Sequence, residues 1–387
     1  MKRLVHTVIE IFDSVDLQNN ILASIAYEAK RTIFLFESRH EEGMEGVYAF
    51  LREKVPELII EKVPINARNA KETVWEVLEP LCEAGEDMVV EINGGNPVIS
   101  NFAREYCRKY GIPCIVSDVG SGMVINVENA EEWEGSISFP KLDFADILLL
   151  QGRVYNRNMH MLADEKYYDR ILSMCEYVFA HQSDVKFFYD FVHHKSEGEL
   201  SEPGLHIVLN RVQDVSERIV RIFKMLESQG FIRNFDFDNN KITFICTEPF
   251  VKEMLAVKGS WLEMYVYILA KRSGLFSEVY QSVMIGWDLE IRPKFNVENE
   301  IDVVLMKQGV PIFISCKMTN PKPDALNEIY ALANSFGGYG AIPALVTSSD
   351  VRNRSKTLWN RSKEMGVILI DCQNLNREGM QAFFEML

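Results

Sequence analysis

Over residues 1–155, short apolar runs alternate with stretches of helical period. LVHTVIEIF, TIFLF, ELIIEKVPI, DMVVEI and PCIVS read as strands; NNILASIAYEAK, VYAFLREK, ETVWEVLEPLCEA and ISNFAREYCRKYG read as helices. Strand and helix in strict alternation predict an α/β domain with a mostly parallel sheet covered on both faces. Ligands of such sheets sit beyond the carboxyl ends of the strands, so the loops that follow each strand carry the functional expectation.

A second pattern occupies residues 156–255. An aromatic-rich helical stretch, YYDRILSMCEYVFAHQSDVKFFYDFVHH, runs into the breaker cluster SEGELSEPG, which predicts a linker. LHIVLNRVQDVSERIVRIFKMLESQG then has helical periodicity and a glycine cap, followed by two strands around Asp238-Asn239-Asn240. Helix plus β-hairpin predicts a winged-helix-like unit. Its basic residues Arg211, Arg218, Arg221 and Lys224 are interleaved with Asp214, Glu217 and Glu227, so packing and relay are expected rather than DNA recognition.

The remaining residues, 256–387, read helix (WLEMYVYILAKRSG), strands (VYQSVMIGWDL, EIDVVLM, PIFISCK), helix (ALNEIYALANSFGG), strand (IPALVTS), helix (RSKTLWNRSKEMG) and strand (VILID). That is a second α/β domain, built on a hairpin with Gly309-Val310-Pro311 at its turn.

Composition narrows the function classes. A chain of 387 residues with 47% hydrophobic and 25% charged residues has the make-up of several packed domains and no long polar tract. No apolar run reaches the roughly 20 residues of a membrane-spanning helix. The apolar start is interrupted by His6, Glu10 and Asp13, and the seven cysteines include no C-x-x-C pair. A cytoplasmic protein with reduced thiols and no membrane partner is expected. The net charge of −15 argues against a protein that coats nucleic acid. From Phe250 onward, however, there are 15 basic and 15 acidic residues, against 26 and 41 before it, so the C-terminal domain is neutral. Within it, residues 352–363 hold five basic residues and no acid, either a solvated face or a rim for a phosphate backbone.

The chemistry concentrates on the hairpin. Asp302 in EIDVVLM and Lys317 at the end of PIFISCK come side by side at one end of a sheet. Phosphodiester hydrolysis needs a divalent cation held by carboxylates and a cation or base near the attacking water. Glu263, one helix earlier, Glu328, one helix later, and Glu300, on the same strand face as Asp302, are further carboxylates for such a cation. Cys316 alternates inward on an apolar strand and reads as core packing rather than as a nucleophile.

Glu263, the N-E-I-D of 299–302 and the S-C-K of 315–317, followed by the helix of Glu328, resemble the PD-(D/E)XK nuclease fold. More narrowly, G-S-W-L-E-M-Y-V-Y, N-E-I-D-V-V-L and P-I-F-I-S-C-K resemble the CARF-linked nucleases of type III CRISPR systems. The resemblance implies a Rossmann-like CARF domain, a central winged-helix-like unit and a restriction-endonuclease-like domain. It also implies a homodimer activated by cyclic oligoadenylate, with cyclic tetra-adenylate the expected ring, that cuts DNA, RNA or both. It assigns Mn2+ or Mg2+ to Glu263, Asp302 and the carbonyl of Cys316, and polarisation of the phosphate or water to Lys317. Where the family motif has an acid two residues before the lysine, this chain has Ser315. That departure sustains an alternative, a non-catalytic sensor that binds nucleic acid when its ligand is present.

For the ligand of the first domain, Asn93-Gly94-Gly95-Asn96-Pro97 lies between a strand and a helix, where glycines admit close approach and a helix start favours phosphate. The Gly-Gly matches the T-G-G-T-K-like sequence of CARF domains, with Pro97 in place of the basic residue. Asp13, Ser14, Val15 and Asp16 after the first strand, and Asp118 and Gly120 after the fifth, are expected at the same rim. For Asp13 and Asp16 the reading as turn-forming caps is slightly favoured over a ligand contact.

Overall fold

The computed structural model describes residues 4–118, 122–136, 141–157, 163–195, 204–210, 215–238, 240–257, 259–286 and 299–387. The loop with Val119, Gly120 and Ser121, most of the SEGELSEPG linker, and Arg211 and Asp214 lie outside them. The chain divides into two compact units. One comprises Met1–Tyr155 with Gly286–Glu298 and Asn334–Ala341; the other comprises Asn156–Ile285, Asn299–Ala333 and Ile342–Leu387.

In the first unit, β1 (Thr7–Ile11), β2 (Arg31–Glu37), β3 (Ile59–Ile65), β4 (Met88–Glu91) and β5 (Cys114–Asp118) pair in parallel. Two antiparallel strands, β6 (Met123–Glu128) and β7 (Gly135–Ser136), extend the edge, giving the order β3-β2-β1-β4-β5-β6-β7. The helices are α1 (Leu22–Ala26), α2 (Glu45–Lys54), α3 (Ala70–Glu83), α4 (Pro97–Tyr110) and α5 (Phe144–Leu150). Period-2 alternation divides the strands between two cores. Ile9, Ile11, Ile33, Leu35 and Val90 pack with Val74, Leu78, Ile99, Ala103 and Tyr106 of α3 and α4. The opposite face of β1 and β4 carries Glu10 and Glu91, each 2% exposed and aligned in register. Chain direction across the sheet reverses between β1 and β4, the switch point where doubly wound sheets open a crevice.

A six-stranded sheet, built mainly from the second unit, has the order β16-β15-β14-β13-β12-β8. Its strands are β8 (Val154–Arg157), β12 (Glu278–Gly286), β13 (Asn299–Lys307), β14 (Val310–Lys317), β15 (Ile342–Thr347) and β16 (Ile368–Ile370). A three-stranded sheet, β10-β11-β9, combines β9 (His206–Leu209), β10 (Ile232–Asp238) and β11 (Lys241–Cys246). The helices are α6 (Tyr168–Ala180), α7 (Gln182–Lys195), α8 (Glu217–Ser228), α9 (Pro249–Ala256), α10 (Ser260–Ser273), α11 (Pro323–Phe336), α12 (Val351–Arg354), α13 (Lys356–Glu364) and α14 (Arg377–Met386). Tyr189, Phe223, Phe244, Tyr265, Val303, Ile314 and Phe384 belong to one continuous core, so the winged-helix-like elements and the larger sheet share their apolar interior.

Two local readings change. LHIVL, expected within a helix, is the strand β9 paired antiparallel with β11; Ile207 and Leu209 are buried while His206 is exposed, a period of two that the longer helical run masks. The hairpin between β13 and β14 turns on Gln308 and Gly309, with φ of 53° and 81°, leaving Val310 paired with Lys307 inside the ladder. A two-residue turn with both φ positive matches the twist of the strands it joins.

Candidate active site and ligand cavity

Glu263 sits in the first turn of α10, which packs on β13 and β14 and ends at Gly274 in the left-handed region. β13 and β14 pair only as far as Val303 with Ile314. Beyond that pair the Asp302 side chain enters the gap. Its Oδ2 accepts a hydrogen bond from the Cys316 N–H at 2.6 Å and from the Ser315 hydroxyl at 3.3 Å, and stands 3.9 Å from Lys317 Nζ. Because N–H and C=O of a strand residue leave on the same edge, the Cys316 carbonyl faces this gap too. The Lys317 carbonyl turns the other way and accepts from Ser348 N–H and Thr347 Oγ1.

Glu263 and Glu300 belong to the same electrostatic cluster. Burial, then the charges of Asp302 and Glu300, push the Glu263 carboxyl up to about 8, against the opposing pull of Lys317. Burial likewise raises Asp302, with Lys317 and the Cys316 N–H acting in the other direction. Ser282 stands opposite Asp302, between the pairs Gln281–Val303 and Val283–Ile301, with a φ of 51°; its hydroxyl donates to Glu300 at 2.5 Å. Residues in the left-handed region cost energy, and they concentrate where geometry serves a site.

Asp302 and Glu263, both raised by burial, and the Cys316 carbonyl are oxygen donors of the kind a divalent cation takes, and a cation there would displace the extra protons. Among the described residues no three acid, histidine or cysteine side chains stand close enough to cage a metal ion by themselves. The Cys316 thiol is buried and held neutral by burial, consistent with packing. Glu328 is not brought to the cluster: it is exposed on α11, whose buried face presents Leu326, Ile329 and Ala333.

At the switch point of the first unit, Phe12, Asp13, Ser14, Val15, Gly95, Asn96 and Pro97 line a cavity of about 190 Å³. Leu35, Glu37, Arg39, His40 and Ile99 complete it. Asp13 is buried and organises its own turn, accepting from the N–H groups of Val15 (2.8 Å) and Asp16 (3.1 Å) and from Asn19 Nδ2. Asp16 caps the following turn through Gln18 N–H. Gly94 lies behind Asp13, where a Cβ would come within 2.0 Å of Asp13 Oδ2. Gly95 has φ 74° and leaves no room for a Cβ beside the Phe12 carbonyl. Asn96 caps α4 by accepting from Val98 N–H and donates to Glu37 Oε1 at 2.8 Å.

Asn93 and Asp118 are not among the lining residues. The Asn93 side chain joins the ends of β4 and β5 through both backbone groups of Ser117. The sequence reading missed Glu37, Arg39 and His40. Arg39 pairs with Glu37 at 2.8 Å, and this contact holds the Glu37 carboxyl below its ordinary range. Their signal was available: SRH follows the strand TIFLF, at a strand end of the kind that directed attention to the other loops.

Residues 252–379 match the protein family described as Card1-like, endonuclease domain. No curated protein matches the chain. Among solved structures, protein VC1899 from Vibrio cholerae is 16% identical with a TM-score of 0.76, over 98% of this chain and 97% of that one. Can2 from Sulfobacillus thermosulfidooxidans, solved in complex with cyclic tetra-adenylate, is 15% identical with a TM-score of 0.71, over 98% and 99% of the two chains. The fold of this chain is therefore theirs along its length.

Proposed function

We propose that this chain, which carries a Card1-like endonuclease domain over residues 252–379, is a metal-dependent nuclease of type III CRISPR defence that a cyclic oligoadenylate switches on. The observation that carries the reading is Asp302 seated in the split between β13 and β14, bonded to Cys316 N–H, with Lys317 Nζ 3.9 Å away. Mn2+ or Mg2+ bound there would supply Lewis-acid polarisation of the phosphate and a more acidic water. Glu263, Asp302 and the Cys316 carbonyl hold the cation. Ser315 fixes Asp302 through its hydroxyl where the family motif has an acid, and Glu300, to which Ser282 donates, is the further carboxylate proposed to make up that loss. Lys317, with 38% of its side chain exposed, presents its ammonium to the scissile phosphate or the attacking water. Residues 352–363 supply phosphate contacts without base readout.

The cavity at the β1–β4 switch point receives the activator. Can2 is described with cyclic tetra-adenylate, and the same ring is proposed here. Arg39 provides the cationic contact that Pro97 does not, with the His40 ring a further polar contact. A cavity of about 190 Å³ suits part of such a ring, so a homodimer that shares it between two equal half-sites is part of the proposal. Activation requires that the ring prefer one dimer geometry.

The test is cleavage of plasmid, single-stranded DNA and RNA in Mn2+ or Mg2+, with and without cyclic tri-, tetra- and hexa-adenylate. Cleavage that needs both cation and ring is expected. Ser315 and the lack of a three-residue metal cage among the described residues favour one other reading, a non-catalytic sensor. Ring-dependent nucleic-acid binding without cleavage in any cation would establish that reading instead.

A further inference from the structure

A second cavity, of about 320 Å³, opens in the second unit between α7 and the loops that follow β14 and β15. That volume is within the range of small-molecule sites. One wall is Gln182, Ser183, Val185, Lys186 and Tyr189 of α7; the other is Met318, Thr319, Asn320 and Ser349. Met318 directly follows Lys317, so the cavity begins within one residue of the lysine. The link is rigid. Thr347 Oγ1 donates to the Lys317 carbonyl at 2.8 Å, with the Thr319 carbonyl at 3.2 Å, Ser348 Oγ donates to the Met318 carbonyl, and Gln182 Nε2 donates to the Ser348 carbonyl at 2.5 Å.

The lining is divided in kind. Val185, Tyr189 and Met318 form an apolar floor, and the Tyr189 hydroxyl is turned away to the Met254 carbonyl. Ser183, Thr319 and Asn320 at the rim are exposed, with the amide of Asn320 able to donate and accept. Lys186 is exposed and makes no ion pair among the described residues. A flat ring against apolar side chains, a polar edge and a nearby anion is the chemistry of a nucleotide. Resting on the nuclease reading for the substrate, we propose that this cavity receives the base of a nucleotide adjacent to the scissile phosphate, with Lys186 on the neighbouring phosphate. The cavity sets the position of the strand relative to Lys317.

The test uses the full-length protein carrying Lys317→Ala, so the strand stays intact. Single-stranded DNA containing 5-bromodeoxyuridine and RNA containing 5-bromouridine are photo-crosslinked to it, and the adducts are mapped by mass spectrometry. Adducts on residues 182–189 or 318–320 are expected from the DNA arm, the RNA arm or both. Ser183→Trp, which fills the cavity from an exposed position, should abolish them and weaken strand binding at least tenfold; Lys186→Ala should weaken binding less and flatten its salt dependence. Adducts confined to other segments, or unchanged in Ser183→Trp, would overturn the proposal. Adducts here combined with a parent protein that cuts nothing would uphold the site and refute the nuclease reading alone.

Discussion

Glu10 and Glu91 face each other on neighbouring strands, both 2% exposed, at the strand ends that lead into the loops of the ligand cavity. The Ser24 hydroxyl donates to Glu10 at 2.8 Å, while Glu10 Oε2 has no hydrogen-bond partner among the described residues. Burial raises both carboxyls, Glu10 being lifted further by the charge of Glu91, and Glu91 moves from an ordinary 4.5 to about 7. Below pH 4.5 the folded and unfolded chains both hold the proton, and Glu91 adds nothing to the pH dependence. As pH rises towards 7, the unfolded chain releases it and the folded chain keeps it, so stability falls by about 1.4 kcal/mol per pH unit, about 3 kcal/mol in all. Glu91→Gln removes that loss and relieves Glu10 as well. Amide hydrogen exchange of β1 and β4 in the full-length protein, corrected for intrinsic rates, gives the local opening free energy at each pH. With the relief of Glu10 added, the parent should lose at least about 3 kcal/mol relative to Glu91→Gln between pH 4 and pH 8. Parallel profiles for the two proteins would refute the reasoning, since the pair would then be hydrated or already ionised.

Gly94→Ala places a methyl group 2.0 Å from Asp13 Oδ2, and the turn must move; binding of cyclic tetra-adenylate, followed by calorimetry, should weaken by at least tenfold with the second unit's melting unchanged. Asn96→Ala removes the cap of α4 and the bond to Glu37, and should cost the first unit about 1 kcal/mol in denaturant unfolding. Phe313→Ala empties a fully buried position on a central strand, and the second unit should lose roughly 3–5 kcal/mol, read from the denaturant midpoint.

The parallel sheet of the first unit was legible because strands buried on both faces become near-continuous apolar runs separated by helical ones. The hairpin with Asp302 and Lys317 was legible for a related reason: EIDVVLM and PIFISCK are apolar strands separated by a glycine turn. Glu328 was misleading because helical spacing brings a residue to a face without saying which face is turned inward, and Leu326 and Ile329 decide that. Pattern alone could not tell that Asp13 is turned into its own loop, since the same aspartate would serve a ligand or a cap. Arg39 and His40 escaped although the loop after β2 ends a parallel strand as the chosen loops do, because that rule was applied only after β1, β4 and β5. The last helix, α14, went unread because NREGMQAFFEM opens on polar residues, though Met380, Phe383 and Phe384 bury one face of it.

The central claim is that Lys317, beside Asp302, serves cleavage of a phosphodiester. Single-turnover cleavage by the parent and by Lys317→Ala, in saturating Mn2+ with cyclic tetra-adenylate, tests it most directly. Loss of one such preorganised charge should slow the reaction by roughly 10²–10³-fold, with melting temperature and strand binding close to those of the parent. Equal rates for the two proteins would contradict the account.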